Sequence, residues 1–290
     1  MTPLDYEYLR KLLKERSGLD LSSDKQYLVE SRLLPVARRT GFPGISELVQ
    51  KMRNGSETLT TEVVEAMTTN ETFFFRDKIP YDHLRDTILP GLIKSRAARR
   101  SIRIWSAASS TGQEPYSIAM CLREYGPALS GWRIEIVATD LSQEVLEKSK
   151  AGLYSQFEVQ RGLPIQLLVK YFTQLGEFWQ LSADIRGMVQ HRQLNLLQDF
   201  SHLGKFDIIF CRNVLIYFDQ ETKARIFERL ARVLEPDGTL ILGAAESVVG
   251  ITDIFRPSQE RRGLYQLNPA RGARPGSATL PPGLKVVAAR

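Results

Sequence analysis

Residues 102–119 read IRIWSAASSTGQEPYSIA and predict a strand, a loop of small residues and the start of a helix. The small side chains of residues 106–112 allow a ligand to lie against the backbone, and Pro115 stands where a first helical turn accepts proline. The unpaired N–H groups of a helix start attract anionic groups. This layout indicates a nucleotide-binding turn. An ordinary strand-to-helix loop is the alternative, because the loop has one glycine, Gly112, where a dinucleotide fingerprint has three.

A second strand with a terminal acid strengthens the first interpretation. Residues 133–140 (RIEIVATD) form an apolar strand that ends at Asp140, and a helical pattern follows. With the helix predicted between them, at about 114–125, the two strands fit a right-handed crossover. An acid at the end of the second strand stands where a ribose presents its hydroxyl groups. The alternative role for Asp140 is to cap the next helix, which Ser142 could equally do.

The remaining core strands complete an α/β sheet. Segment 206–218 (FDIIFCRNVLIYF) is the most apolar strand of the chain, as expected for a central parallel strand, and it runs into Asn213 and Tyr217. Further strands are predicted at 189–196 and 239–246, with a closing pair around residues 255 and 263–267. We therefore predict a Rossmann-like, mostly parallel sheet of seven strands, with a ligand at the carboxyl ends of the strands.

The first 68 residues predict four helices, ending near residues 17, 39, 53 and 67. Arg32 and Arg39 of the second helix share one face, with Arg38 beside them, and Pro35 is expected to strain or break this helix. The arginines form either a solvated face or a docking surface for an acidic protein substrate, since guanidinium groups suit carboxylates.

Residues 68–77 (TTNETFFFRD) link this helical part to the rest. Three consecutive phenylalanines cannot all face one core, and Asn70, Thr72 and Arg76 beside them can form hydrogen bonds. Such a mixture predicts a linker pressed against a ligand pocket. A buried interdomain linker is the alternative.

These patterns divide the chain into four parts. The predicted parts are a small all-helical domain (1–68), a linker that contributes to the pocket (69–90), an α/β domain (91–268) and a disordered basic tail (269–290). Within the α/β domain, residues 178–181 and 185–189 predict a β-hairpin about a turn at 182–184, which gives a small β-subdomain at about 173–188.

The charge of the chain is concentrated at its end. The net charge is +6, and the segment from residue 256 onward carries all of it, with seven Lys/Arg against one acid. Because the body is neutral and lacks basic patches interleaved with aromatic residues, we expect no nucleic-acid partner.

Other residue types restrict the class of protein further. Cys121 and Cys211 lie in apolar patterns, which favours reduced core cysteines of a cytoplasmic protein. The cysteines and the three histidines have no metal-ligand spacing, so we expect no metal. No signal peptide and no apolar run of roughly 18 residues is found, so we expect no membrane insertion.

Five motifs together resemble the family of chemotaxis receptor methyltransferases (CheR), which methylate glutamates of chemoreceptors with S-adenosylmethionine (SAM). The motifs occur in family order at 69–76 (TNETFFFR), 105–117 (WSAASSTGQEPYS), 138–140 (ATD), 210–218 (FCRNVLIYF) and 243–247 (GAAES). The resemblance implies a class I methyltransferase domain behind a helical domain that helps engage the receptor. It also implies a monomer that acts on the cytoplasmic domain of membrane chemoreceptors and releases S-adenosylhomocysteine.

The resemblance assigns roles to matching residues. Asn70, Thr72 and Arg76 are implied to contact the cofactor from the linker, Glu114 its amino group, Asp140 its ribose, Asn195 and Leu196 its adenine, while Asn213 and Val214 close the site. Tyr217 matches the tyrosine near the transferable methyl group, and we expect it and Arg76 to be catalytic. The helix with Arg32, Arg38 and Arg39 matches the receptor-facing helix, although proline is unexpected at residue 35.

One departure concerns the β-subdomain, which in some family members binds a tethering peptide at the receptor's C-terminus. The predicted hairpin is several residues shorter here, so we expect receptor binding without that tether. Two other functions stay open: a Rossmann-type methyltransferase of another acceptor, and a module that senses SAM without turnover.

Overall fold

The computed structural model describes residues 1–259 and 261–269. Its first part consists of helices α1 (Pro3–Ser17), α2 (Gln26–Arg39), α3 (Ile45–Arg53) and α4 (Glu57–Met67), which confirms the four predicted helices. Leu9 and Leu13 of α1 are four residues apart and therefore share the face that is buried with Leu33 and Leu48 in one apolar cluster. Helix α1 ends at Gly18, which adopts the left-handed conformation (φ 78°).

Pro35 does not break α2, which continues from Gln26 to Arg39. A proline inside a helix removes one hydrogen bond, here the one to the carbonyl of Ser31. Both residues are exposed, so water can satisfy this carbonyl. The expected break is therefore absent because the proline lies on the solvent side of the helix.

The strands of the described residues are, in chain order, β1 (Ser101–Ala107), β2 (Arg133–Asp140), β3 (Leu153–Ser155), β4 (Phe172–Leu175), β5 (Phe178–Leu181), β6 (Val189–Gln193), β7 (Phe206–Cys211), β8 (Leu234–Leu242), β9 (Phe255–Pro257) and β10 (Leu264–Leu267). The helices after α4 are α5 (Ile79–His83), α6 (Leu89–Ser95), α7 (Gln113–Glu124), α8 (Gln143–Ala151), α9 (Gln156–Gln160), α10 (Ile165–Tyr171), α11 (Ala183–Arg186) and α12 (Gln220–Val233). A π-helical turn, Leu84–Ile88, joins α5 to α6.

Seven strands form one sheet in the order β6-β2-β1-β7-β8-β10-β9. The first five are parallel, and β10 runs antiparallel to both of its neighbours. This is the predicted Rossmann-like sheet, and all six residues of β7 are buried, as expected for its central position. Alternate residues of β1 enter opposite apolar layers: Ile104 faces one and Trp105 the other.

The predicted hairpin is wrong in its pairing. Strand β5 pairs with β4, across a two-residue turn that begins at Gly176 (φ 62°), and β3 adds a third antiparallel strand. Helix α11 covers residues 183–186, where the prediction had the end of the turn (182–184) and the start of the second strand (185–189). Ile185 is buried in α11, and an apolar residue suits a buried strand equally, so its character did not distinguish a strand from a single helical turn.

The predicted disordered tail lies, from residue 270 onward, outside the described residues. Among the helices that are described, none combines the length and the apolar character needed to cross a membrane.

Candidate active site

One cavity lies at the carboxyl ends of the parallel strands, between them, the linker and the end of α1. The ten residues predicted to contact cofactor or substrate in the reaction all line it: Asn70, Thr72, Arg76, Glu114, Asp140, Asn195, Leu196, Asn213, Val214 and Tyr217. The individual roles of these residues stay predictions. Arg32, Arg38 and Arg39 lie on α2 and do not line the cavity.

The turn between β1 and α7 bends sharply against this cavity. Ala108, Ser110 and Gly112 have positive φ angles of 55°, 51° and 95°, a conformation that is costly for residues with a side chain. At Gly112 a Cβ atom would clash with the hydroxyl of Ser149 on α8. The single glycine of the loop is thus required by conformation and by close packing.

Asp140 connects two loops of the cavity. One carboxylate oxygen accepts from the backbone N–H of Ser110 at 2.8 Å, and the other accepts from the N–H of Ser142 at 3.0 Å. Ser142 caps α8 with its own side chain, so Asp140 is not needed as the cap. Asp140 is 6% exposed, and this burial raises its pKa above the ordinary value.

Glu114, in the first turn of α7, is the second buried carboxylate of the cavity. It accepts from the hydroxyl of Ser106 and from Nη1 of Arg212, each at 2.8 Å. Burial raises the pKa of Glu114, while the guanidinium of Arg212 opposes the rise. Arg212, directly after β7, is therefore the cation that partly offsets the effect of burial on Glu114.

Arg212 is a site residue that the sequence reasoning missed, although it lies within a quoted motif. Its Nη2 donates to the carbonyl of Arg76 at 2.8 Å and to the carboxylate of Asp77 at 2.7 Å. With Nη1 on Glu114, this buried cation joins β7, α7 and the linker. An arginine directly after a mostly apolar strand was the signal available, because a buried charge requires partners.

Glu246, in the loop after β8, is the second missed residue. Its carboxylate accepts from the backbone N–H groups of Asn213, Val214, Leu215 and Gly243, at 2.7–2.9 Å. Asn213 has a positive φ angle of 59°. The carboxylate therefore supports the turn that carries the residues after β7 into the cavity.

Contacts from the helical domain close one side of the cavity. The N–H of Asp20 donates to the carbonyl of Tyr217 at 2.9 Å, and Nδ2 of Asn195 donates to the carbonyl of Arg16 at 2.6 Å. Ser17 and Leu19 line the cavity directly. The pocket is thus shared between the helical and the α/β domains.

The phenylalanines of the linker separate as predicted. Phe74 is fully buried against Tyr154, with ring centroids 5.0 Å apart, and Phe75 packs on Tyr81 at 5.1 Å. Phe73 is half-buried, with the guanidinium of Arg76 5.5 Å from its ring centre. Phe74 therefore anchors the linker in the core of the α/β domain, next to the residues that face the cavity.

The three predicted docking arginines differ in their surroundings. Arg38 is exposed, and Arg39 is exposed and paired with Glu62. Arg32 is half-buried and directs its guanidinium to the end of α4, where it donates to the carbonyls of Met67 and Thr68.

A metal site was not expected, and no group of three or more potential ligands occurs among residues 1–259 and 261–269.

Comparison with known proteins gives a consistent family assignment. Residues 4–68 match the CheR methyltransferase all-alpha domain, and residues 70–264 match the CheR methyltransferase SAM-binding domain. The second match supports SAM as the cofactor, as predicted.

Similar proteins extend over most of the chain. Chemotaxis protein methyltransferase 1 of Pseudomonas aeruginosa is 44% identical over 261 residues, which cover 88% of this chain and 94% of that protein. Chemotaxis protein methyltransferase Cher2 of Pseudomonas putida is 42% identical over 272 residues (91% and 98%). Chemotaxis protein methyltransferase 1 of Vibrio cholerae is 40% identical over 255 residues (87% and 92%). Both domain matches and these relatives show that the chain belongs to the CheR methyltransferase family.

Proposed function

We propose that this protein transfers the methyl group of SAM to glutamate side chains of chemoreceptors, forming glutamyl methyl esters that serve sensory adaptation in chemotaxis. The observation that carries the proposal is that the ten predicted residues together line one cavity at the carboxyl ends of the parallel strands. The three relatives are chemotaxis protein methyltransferases, which supports the choice of acceptor.

The residues present fit the cofactor. The buried carboxylates of Glu114 and Asp140 accept hydrogen bonds, as an amino group and ribose hydroxyls require. The hydroxyl of Ser109 is buried in the cavity wall and has no hydrogen-bond partner among the described residues, so it is available to a ligand. From the resemblance we assign the adenine to Asn195 and Leu196, the closing of the site to Asn213 and Val214, and the contacts from the linker to Asn70, Thr72 and Arg76.

The reaction makes modest chemical demands on the protein. When bound, SAM supplies a sulfonium methyl group for direct displacement by a carboxylate oxygen. A glutamate with an ordinary pKa of about 4.3 is already ionised at neutral pH, so the protein needs no general base. Its residues have to align the nucleophile and exclude water. We assign ring contact and a hydroxyl hydrogen bond at the methyl position to Tyr217, and orientation of a substrate or cofactor carboxylate to Arg76.

The proposal is tested with membranes that carry chemoreceptors of the same organism. Incubation with the protein and methyl-labelled SAM should label the receptor, and alkali should release the label as methanol, because carboxylate esters are base-labile. The Asp140→Ala variant serves as the control with weakened cofactor binding. Absence of label, with SAM binding intact, would contradict the proposal and favour another acceptor or a SAM-sensing module.

We further propose that receptors dock without a C-terminal tether. A tethering peptide would add a strand to an exposed sheet edge and needs a row of free backbone groups there. The edge strands of the small sheet, β3 and β4, have only three and four residues, and short edges resist strand addition. Titration with the isolated C-terminal peptide of a chemoreceptor should show no saturable binding; binding in the micromolar range would refute this proposal. Docking would then rest on the face of α2 that carries Arg38 and Arg39.

A further inference from the structure

The guanidinium of Arg32 donates hydrogen bonds to the segment that leads from the helical domain into the linker. Its Nη1 donates to the carbonyls of Met67 at 2.7 Å and Thr68 at 2.9 Å, and its Nη2 donates to Oγ1 of Thr69 at 3.0 Å. Arg38, six residues further along the same helix, is exposed. The guanidinium of Arg32 is therefore engaged inside the molecule, whereas that of Arg38 faces solvent.

The acceptors of Arg32 lie where α4 ends and the linker begins. The last carbonyls of a helix have no partner within the helix, and a cation at this end also complements the helix dipole. Met67 is the last residue of α4, and Thr68 is already extended (ψ 148°). Arg32 thus holds the point at which the chain changes direction towards the cavity, and Met67, Thr68 and Thr69 themselves line that cavity.

A short series of hydrogen bonds continues from this point to the cofactor residues. Nδ2 of Asn70 donates to Oγ1 of Thr68 at 3.1 Å, and the carbonyl of Asn70 accepts from Oγ of Ser110 at 2.8 Å. The N–H of Ser110 donates to Asp140. The linker residue next to the Arg32 contacts is therefore bonded directly to the turn that holds Asp140.

We infer that Arg32 is a positioning residue of the cofactor site, which acts through residues 67–70 and not by contact with the docked protein. Without the guanidinium of Arg32, the carbonyls of Met67 and Thr68 lose a hydrogen-bond donor. The start of the linker then gains conformational entropy, which cofactor binding must remove again. The inference rests on the proposed cofactor contact at Asn70, but it does not depend on which acceptor is methylated.

The test measures SAM affinity of the full chain by calorimetry, without any receptor. Arg32→Met should weaken SAM binding about tenfold or more, and hydrogen exchange of the amides of residues 68–72 should become faster in the cofactor-free protein. Arg38→Met is the matched control on the same helix and should leave both quantities unchanged. Arg32→Lys keeps the charge but cannot reach three acceptors with a planar fork, so it should also bind SAM more weakly.

Two results would overturn the inference. The first is wild-type SAM affinity in both Arg32 variants, combined with a raised KM for the receptor, which would make Arg32 a docking residue. The second is equal weakening by Arg38→Met, which would indicate a general effect of charge on α2. If Arg32→Met does not fold, Arg32→Lys decides alone, because it preserves the charge and most of the side-chain volume. The failure of receptor methylation in the wild-type protein would leave these affinities interpretable, so the two proposals fail separately.

Discussion

Replacing Glu246 should have a large effect on stability, because its carboxylate accepts hydrogen bonds from four backbone N–H groups. One oxygen accepts from Val214 and Leu215, and the other accepts from Asn213 and Gly243. The substitution Glu246→Gln keeps the shape of the side chain but replaces one oxygen with an NH2 group. Whichever way the amide is oriented, two N–H donors then face a donor instead of an acceptor.

The cost of this change follows from the burial of the group. Glu246 is 8% exposed, so water does not replace the lost acceptor. Each buried donor left without a partner costs about 1–3 kcal/mol, which gives about 2–6 kcal/mol for the two. In a protein of this size, roughly 2–4 °C of melting temperature is lost per kcal/mol, so we expect a decrease of at least about 4 °C. Because Asn213 and Val214 line the cavity, SAM affinity should fall as well.

Thermal unfolding followed by circular dichroism, and calorimetric titration with SAM, measure the two effects. Glu228→Gln is the matched control, since it removes the same charge from the exposed face of α12. We expect this control to change the melting temperature by less than about 1 °C, as is usual for surface substitutions. A decrease below about 2 °C in Glu246→Gln, with wild-type SAM affinity, would refute the view that the carboxylate supports the turn after β7.

Three further predictions concern the cavity and its surroundings. Asp140→Ala should weaken SAM binding about 10- to 100-fold, the equivalent of one hydrogen bond to a charged group, and an unchanged Kd in calorimetry would remove Asp140 from the cofactor site. Tyr217→Phe should lower kcat in the methyl-transfer assay about tenfold, or about 1.4 kcal/mol in barrier, with SAM affinity unchanged; an unaltered kcat would remove the hydroxyl from the mechanism. Burial, with a smaller contribution from Lys150, lowers the pKa of His191 from 6.5 to about 4 in the folded state, while Glu147 opposes it. A lowered histidine pKa means that the folded state resists protonation, so stability is lost as the pH falls from about 6.5 towards 4, by about 2 kcal/mol at pH 5. His191→Gln should therefore lose less stability than the wild type between pH 7 and pH 5 in urea unfolding, and equal losses would contradict this explanation.

The parts of the structure that the sequence predicted well are those that repeat a simple pattern. Apolar runs located β1, β2 and β7, although β7 ends at Cys211 and not at residue 218 as predicted. Parallel strands bring their carboxyl ends to one edge, so Asp140, Asn213 and Tyr217 were expected to lie close together, and all three line the cavity. The separation of the phenylalanines followed from their adjacency, since three neighbours cannot face one core.

The parts that were missed depend on contacts between distant segments. Arg212 and Glu246 act on backbone groups of other loops, and no residue spacing reveals which carbonyls or N–H groups will be near. The same holds for Arg32, whose acceptors follow it by 35–37 positions. The hairpin pairing was wrong because four-residue segments such as 183–186 are too short for their periodicity to separate a helical turn from a strand.

Because both domains line the cavity, exchanging one domain between members of the family changes the wall of the cofactor site. Lys14 of α1 lies 2.7 Å from Asp219 at the start of α12, and a side chain at Gly18 would collide with the ring of Phe218. Together with the bonds of Arg16 to Asn195 and of Asp20 to Tyr217, these contacts are specific to the two surfaces that meet. A chimera that takes residues 1–68 from one relative and the remainder from another would therefore inherit a mismatched pocket wall, unless the segments around residues 14–20 and 195–219 are transplanted together. In a designed chimera, the unit to exchange is therefore this pair of segments and not the helical domain alone.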